Sequence, residues 1–534
     1  MSQRIREWVL LAGFCVFLFF YGIGQFGLIG ADEPRYAQVA REMLARHDWI
    51  TPTLGGQPWL EKPPLYYWQT MVAYAIFGVH DWAARVPSAV DASLIVLAVY
   101  YFLRRLRPGF HLEGALMTAS TAGLIGFAHS ASTDMPLAAM FSLAMLCWYA
   151  WWETSQKSLL YGFYASLALA ALAKGPVAII LAVATILLFA LAAGNSRILL
   201  RTLWVPGIFV FFVIATPWYI AVQLHQPEFF RVFILEHNLA RFGSDLYHHA
   251  QPVWFYIPVV ILGLVPWFVF VKAAGWEVVR AWWGERRSLL ESEDALSIFL
   301  CLWLLVPVVF FSLSRSKLPG YILPAIPAGP LLVAEFVRRH AGDEHPTPRW
   351  LIILHALFAA VPLVPSLAIA YLVVQHRLPW GTPTIISTVI ALVVAIGIAR
   401  ALLGKLGLRV LYFVTLVPVV LSVAAILRIG APAVDQALSG RPVARQLATM
   451  EINVLPLAVL GVRRETEYGL AFYRNQRISR YELHQVPAEE HLLVIPAGAR
   501  QVLPQFVGQR RVVDLGEYAP QRLEFYWVAA QAGQ

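Results

Sequence analysis

WVLLAGFCVFLFFYGIGQFGLIGADEPRYAQVAREMLARHDWITPTLGGQPWLEKPPLYYW, residues 8–68, sets the reading of the whole chain. Its first part, Trp8 to Ile29, is an apolar run long enough to cross a hydrocarbon layer of about 30 Å at about 1.5 Å per residue. Its second part gathers acids, bases, prolines and aromatics in a loop. Apolar runs of the first kind recur through the first four-fifths of the sequence, and polar loops punctuate them. The pattern predicts a polytopic all-α membrane protein. Of 534 residues, 59% are hydrophobic and 14% charged, against roughly 45–50% and 25% in average soluble proteins. That balance excludes an ordinary cytosolic enzyme.

Counting runs against charges and prolines gives about thirteen transmembrane helices, near residues 8–29, 85–103, 112–129, 134–152, 158–173, 176–193, 201–222, 252–272, 296–314, 319–337, 350–374, 383–400 and 407–427. The basic start (Arg4, Arg6) resembles that of a secretory signal, but the apolar stretch is too long and lacks a small-residue cleavage site, so it is expected to remain as the first span. The net charge of +9 lies in short Lys and Arg clusters between spans. Arg104, Arg105 and Arg107, then Arg197 and Arg201, then Arg338, Arg339 and Arg349 fall on one side, as cytoplasmic topology signals do. Nucleic acid is therefore not an expected partner. Cys15, Cys147 and Cys301 each lie in an apolar run, with no metal-type spacing.

With a cytoplasmic N-terminus, an odd number of spans puts the tail outside. The expected division is a transmembrane domain over 1–428, with outer loops at 30–84 and 223–251, and a small α/β domain over 429–534. In that tail, helix-like stretches (Arg441 to Met450, Arg464 to Arg474, Ala499 to Val507) alternate with strand-like ones (Val454 to Val462, His491 to Ile495, Val512 to Leu515, Arg522 to Val528).

Charges that do not serve topology gather in the outer loops. A first loop of about 55 residues inside a compact membrane protein is usually functional. It carries Asp32-Glu33-Pro34-Arg35-Tyr36 and Glu61-Lys62-Pro63-Pro64. Asp32 and Glu33 before a helix-forming stretch could be simple caps, which accounts for one acid and leaves Arg35 and Tyr36 unexplained. Asp134, at the mouth of a span, is either another cap or a second carboxylate of the same pocket. Lys174 stands on the side that disfavours cations and needs an anionic partner, a carboxylate or a phosphate. Arg241 follows Glu236-His237-Asn238, and Arg315, Lys317 and Tyr321 join two later spans.

Arg35, Lys62, Lys174, Arg241, Arg315 and Lys317 make an outward set of cations, accompanied by Asp32, Glu61 and Asp134. Such a set at a bilayer surface suits a lipid phosphate, with the acids left for a sugar or an acceptor. No Gly-rich phosphate loop or Walker ending is present, so a lipid-linked donor fits better than a nucleotide.

At these residues the chain resembles the GT-C glycosyltransferases that use polyprenyl-phosphate sugars, and most closely the bacterial family that transfers 4-amino-4-deoxy-L-arabinose to lipid A. The matching pieces are Asp32 to Tyr36 with Ala40 to Leu44, Glu61 to Leu65 with Tyr67-Trp68, Lys174-Gly175-Pro176, His237-Asn238 with Arg241-Phe242, Lys317-Leu318-Pro319 with Tyr321 to Pro324, and Leu470 to Tyr473. The resemblance implies a GT-C fold at the inner membrane with a periplasmic tail. It implies catalytic roles for Asp32, Glu61 and Asp134. Donor contacts would come from Arg35, Tyr36, Lys62, Lys174, Arg241, Arg315, Lys317 and Tyr321. A divalent metal such as zinc, shared by Glu61 and His237, is a further implication.

The expected reaction moves the aminopentose from undecaprenyl phosphate to a lipid A phosphate, with inversion. Its partners are the lipid-linked donor, lipid A and membrane lipids. The acceptor phosphate is already ionised, so positioning and charge outweigh general-base work. Two other readings are weighed. One is the same scaffold acting on a glycan or protein hydroxyl. The other is a lipid or sugar transporter, against which stand the lack of internal repeats and the lack of acids or bases in mid-span.

Overall fold

The computed structural model describes residues 2–233, 236, 251–284, 295–340, 347–366, 381–405 and 407–531. Among these, eight helices are long and apolar enough to cross a membrane, and a bent pair makes a ninth. Each of the thirteen expected runs overlaps a helix among the described residues, the 350–374 run as far as Ser366, though not all are single rods. The 112–129 run divides into His111–Ala119 and Ala122–Ala128, and the 252–272 run turns through 115° between Val253–Gly263 and Phe268–Trp283. The 176–193 run forms the shorter helix Val177–Ala192. Periodicity marks apolar length and does not encode a change of direction.

Outward-facing side chains show what surrounds these helices. In Val205–His225, the residues Val205, Phe209, Phe212, Val213, Ile220 and Leu224 are all more than half exposed. An apolar stripe of this kind belongs against lipid. Among the described residues, the most deeply buried span is Pro319–His340, which lies almost wholly inside the protein.

The two ends of the bundle differ in charge. Asp81–Leu106 runs about 39 Å at 1.5 Å per residue. Its start carries Asp81 and Arg85, while Arg104, Arg105 and Arg107 stand at its other end. There Arg107 pairs with Glu153 at 2.7 Å, and Glu335 is bound by Arg338 at 2.7 Å. The polar first loop lies at the opposite end, with Asp81 and Arg85.

The expectation of no acid or base in mid-span is corrected by Asp91 and His355, both at most 2% exposed inside span helices. Each has a local partner that makes burial tolerable. Asp91 accepts from Gln69 Nε2 at 3.1 Å, and His355 meets Thr415 Oγ1 at 2.9 Å.

The first loop is itself folded. It contains the helix Asp32–Ala45, a two-residue hairpin of β1 (Thr53–Leu54) and β2 (Gln57–Pro58), and the helix Leu65–Phe77. Glu42 organises the hairpin, accepting from Thr53 Oγ1 at 2.8 Å, Gly55 N at 2.8 Å and Gly56 N at 3.1 Å.

In the tail, β3 (Leu457–Val459), β4 (Ser479–Arg480), β5 (His491–Pro496), β6 (Val512–Tyr518) and β7 (Leu523–Val528) form one sheet in the order β4-β3-β5-β7-β6. The first three strands run parallel, and β7 is antiparallel to both β5 and β6. β5 is buried throughout except at its last residue, which is why His491 to Ile495 reads as a continuous apolar strand. The last apolar helical run continues through Ala431–Leu438 before the Gly440–Thr449 helix begins.

Candidate active site

The first loop and its neighbours assemble one buried structural pair, Glu33 with Arg85, and two further acid–base pairs. Asp32 and Glu33 sit side by side at the start of Asp32–Ala45, yet they do different things. Glu33 turns inward and is 5% exposed. Its Oε2 accepts from Arg85 Nη2 at 2.6 Å and Ile29 N at 3.0 Å, and its Oε1 accepts from Ala131 N at 3.1 Å. Arg85 also donates to the carbonyls of Ile23, Phe26 and Gly27 at 3.1, 2.7 and 2.8 Å. Glu33 is thus the structural acid that seats the helix start. Its partner Arg85 was hidden from sequence reasoning as the first charge of an apolar run.

Asp32 is left on the open side, its side chain 50% exposed, and accepts from Arg35 one turn on. The Arg35 guanidinium lies among three rings, 4.9 Å from the Trp59 centroid, 5.2 Å from Tyr36 and 5.8 Å from Tyr468. Such stacking fixes the guanidinium plane. Burial works against charge on Arg35, yet Tyr36, Asp32 and Glu61 outweigh it and hold its pKa above the ordinary guanidinium range. Burial, aided by the Asp32 charge, pushes the Tyr36 phenol well up, so this hydroxyl is a donor and not a base. Tyr36, Tyr66 and Tyr67 form an aromatic triangle with centroids 6.0–6.2 Å apart. Among the described residues, Arg35 Nε, Trp59 Nε1 and Tyr67 Oη are buried without a hydrogen-bond partner. Glu61 and Lys62 lie half-buried in the turn that leads from Trp59 to this triangle.

The second of the two further pairs is Asp134 with Lys174, in hydrogen-bond contact and with side chains 16% and 11% exposed. Asp134 begins the Asp134–Thr154 helix but does not cap it. Instead it accepts from Ser132 Oγ at 2.9 Å, while its own backbone N–H donates to the same oxygen at 3.1 Å. The anionic partner that Lys174 needs is therefore a carboxylate of this chain. The Lys174 ammonium also sits 4.3 Å from the Tyr321 ring centroid. A side chain at position 320 would collide with this pair, since a Cβ on Gly320 would stand 2.5 Å from Asp134 Oδ2. Ala131, whose N–H reaches Glu33, lies just before Ser132 and ties the second pair to the first loop.

The remaining expected site residues divide. Lys317 is 4% exposed and donates to the carbonyls of Gln251, at 3.0 Å, and Ser314, so its ammonium fastens its own loop. Arg315, two residues away, is exposed. His237 and Arg241 lie outside the described residues. Among the described residues, no three His, Cys, Asp or Glu side chains gather as a metal site would require, and the expected pair of Glu61 with His237 is represented there by Glu61 alone.

The tail reaches this site, which sequence reasoning missed. Tyr473 Oη accepts from Leu28 N at 2.7 Å and donates to Asp81 Oδ2 at 3.0 Å. Arg441 pairs with Asp81 at 3.1 Å and Asp435 at 2.9 Å. The Leu470 to Tyr473 element was the available signal, since its aromatic pair stood on a predicted helix with no other assigned role.

Known proteins share parts of this sequence and this fold. Residues 61–220 match the family model described as dolichyl-phosphate-mannose-protein mannosyltransferase. A protein of Pseudomonas aeruginosa (strain UCBPP-PA14) named undecaprenyl phosphate-alpha-4-amino-4-deoxy-L-arabinose arabinosyl transferase is 32% identical over 332 residues, 61% of this chain and 58% of the relative. A protein of the same name from Photorhabdus laumondii is 32% identical over 57% of this chain and 54% of its own length. The chain thus spans little more than half the length of these relatives. The crystal structure of ArnT from Cupriavidus metallidurans bound to undecaprenyl phosphate superposes with a TM-score of 0.75 at 25% identity, covering 98% of this chain and 99% of that one. The apo form of that protein gives 0.77 at 23% identity. The chain has the GT-C fold and is similar, over about three-fifths of its length, to the undecaprenyl phosphate-aminoarabinose transferases.

Proposed function

We propose that this protein is an integral-membrane glycosyltransferase that moves 4-amino-4-deoxy-L-arabinose from undecaprenyl phosphate to a phosphate of lipid A, at the outer face of the bacterial inner membrane. The observation that carries the reading is Asp32, half-exposed and held by a stacked Arg35, in a folded loop at the end of the bundle opposite the Arg107–Arg338 cluster. The positive-inside rule favours the cytoplasm for the arginine-rich end, which supports an outer position for the loop and the tail.

In this reaction the bond between the sugar's C1 and the undecaprenyl phosphate oxygen breaks, and a lipid A phosphate oxygen bonds to C1. The departing lipid phosphate takes the electron pair. Negative charge grows on that leaving group, so donors aimed at it lower the barrier. Arg35, Lys62 and Lys174 fill this role, with Arg241 and Arg315 as proposed further contacts. Tyr36 and Tyr321 line the donor, and Lys317 holds the loop that presents Tyr321. Asp32 faces the sugar, where a carboxylate steadies either the ammonium or the positive charge developing at C1. Asp134, fixed by Lys174 and Ser132, orients the second cation. Glu61 completes the acid set. Glu61 and His237 are the proposed pair for a divalent ion such as zinc, and no step above runs through it.

The test is mass spectrometry of lipid A from a Gram-negative strain that makes the aminoarabinose donor but lacks its own transferase. Expression of the wild-type chain is expected to add an aminopentose mass, and Asp32→Ala to abolish it. Correctly inserted wild-type protein that leaves lipid A unchanged would overturn the choice of acceptor and turn attention to hydroxyl acceptors.

A further inference from the structure

The tail helix Arg464–Arg474 lies against the first-loop helix Asp32–Ala45 through two arginine–aromatic contacts. Arg41 stands 4.2 Å from the Phe472 centroid, and Arg35 stands 5.8 Å from that of Tyr468. Tyr468 and Phe472 are four residues apart and therefore share one face of their helix. The two contacts are not equivalent. Phe472 is 3% exposed, and Arg41 also donates to its carbonyl at 2.8 Å and to Asn475 Oδ1 at 3.0 Å. That contact is a dock. It is reinforced by Tyr473, which bridges Leu28 N and Asp81, and by glycine at position 27, where a Cβ would stand 2.5 Å from Tyr473 Oη and 2.9 Å from Arg441 Cβ.

Tyr468 has no such docking bonds and remains partly exposed. What it meets is the guanidinium that holds Asp32. Trp59 and Tyr36 supply the other two rings from the first loop itself, and the third comes from the tail. With Arg35 Nε unpartnered, the stacked rings, the hydrogen bond with Tyr36 and the Asp32 and Glu61 charges are what orient this side chain.

We propose that Tyr468 is a positioning residue: its ring closes the third side of Arg35, fixes the guanidinium plane and thereby sets the direction in which Asp32 points. The site is then complete only with the tail docked. This inference rests on the proposed function for its kinetic consequence, though not for its geometry.

The experiment uses the full chain in lipid nanodiscs, with Y468F, Y468A, R35K and the double variant Y468A/R35K. Transfer from undecaprenyl-phosphate aminoarabinose to lipid A is expected to fall about three- to ten-fold in Y468A, the factor that a partly desolvated cation–π contact supplies. Y468F keeps the ring and restores the rate. In the R35K background Y468A should have a clearly smaller effect, because a lysine has no guanidinium plane for the ring to fix. Equal factors in both backgrounds overturn the proposal.

A second readout needs no activity. Phenylglyoxal modification of Arg35, followed by peptide mass spectrometry, is expected to quicken several-fold in Y468A but not in Y468F, with Arg41 unchanged. Unchanged labelling of Arg35, or labelling of Arg35 and Arg41 rising together as the tail undocks, overturns the proposal. If the wild-type protein transfers nothing, the proposed function fails while the labelling still decides the positioning role.

Discussion

Asp32 and Glu33 are neighbours of the same charge, and the structure assigns them opposite consequences when that charge is removed. Asp32→Asn keeps the shape of the side chain and an oxygen for Arg35. The pair is half-exposed on the Asp32 side, so its contribution to stability is at most about 1 kcal/mol. Glu33→Gln instead leaves the guanidinium of Arg85, fully buried, without its counter-charge. It also turns one amide N–H₂ toward a donor, either Ala131 N or the Arg85 and Ile29 pair. Breaking a buried ion pair from one side costs about 3–5 kcal/mol. The three carbonyls that Arg85 retains put this case near the lower end. In detergent, Glu33→Gln is therefore expected to lower the thermal midpoint by several degrees, and Asp32→Asn to leave it within about two.

Turnover should separate the two in the opposite sense. On the proposed reading Asp32 acts on the reacting centre, and loss of such a charge typically costs about 10²–10³ in rate, so Asp32→Asn should be nearly inactive at full stability. Glu33→Gln should retain transfer at a temperature where it is still folded. The assay is aminopentose transfer by purified protein in nanodiscs, read beside a melting curve for each variant. An Asp32→Asn protein that keeps more than a tenth of wild-type turnover, or a Glu33→Gln protein that melts with the wild type, would refute the division of labour.

Three further outcomes follow from individual contacts. Asp134→Asn and Lys174→Met each break a largely buried pair, so each should destabilise by about 3 kcal/mol, whereas the double variant should cost less than the sum; additive losses in melting experiments would remove the pairing argument. Gly320→Ala places a Cβ 2.5 Å from Asp134 Oδ2 and 2.8 Å from Phe127 Cε1, and transfer is expected to drop at normal expression levels; a fully active variant would show that Asp134 has room to move. His491 accepts from Tyr481 Oη at 2.5 Å and donates from Nδ1 to Glu489 O, and burial lowers its pKa from the ordinary 6.5. A base whose folded pKa is depressed stabilises fully above its unfolded pKa and loses that contribution as pH falls. Tail stability should therefore decline below about pH 6.5, and His491→Gln should flatten that decline in pH-dependent melting curves.

The spans were legible because a bilayer imposes length and apolarity on every crossing helix, and both are written in composition. Direction was not. Gly263 and Pro266 mark a break in this apolar run, but nothing in the residues on either side gives the 115° turn between their helices. Within the site, local pairs were readable and distant ones were not. Asp32 with Arg35 is a helical i, i+3 pair that spacing suggests. Lys174 announced its need for an anion, but only the fold brings Asp134 to it. Glu33 with Arg85, and Arg35 with Tyr468, join residues from separate elements with no shared motif. Asp91 and His355 escaped notice because single polar letters inside long apolar runs weigh little in any window, whereas in the folded bundle each finds one partner.

The cations at this site are not bare. Arg35 is held by Asp32, Lys174 by Asp134, and Lys317 by two carbonyls. An ammonium kept near the membrane with no partner would be costly, and Asp134 removes that cost for Lys174 on the side where the positive-inside tendency disfavours it. On the proposed reading, this pairing also changes how a lipid phosphate enters. It meets cations already shared with carboxylates, so binding exchanges one anion for another instead of filling an empty charge. Arginine has five N–H donors, and Arg35 uses few of them on Asp32. A phosphate can therefore share the guanidinium without expelling the acid. Lysine's ammonium has three N–H donors on one atom, so a phosphate that draws on Lys174 shares one point charge with Asp134. The two pairs are then unequal: Arg35 can hold the donor phosphate and Asp32 together, which is the arrangement a transfer from phosphate to sugar to phosphate requires, while Lys174 and Asp134 frame it.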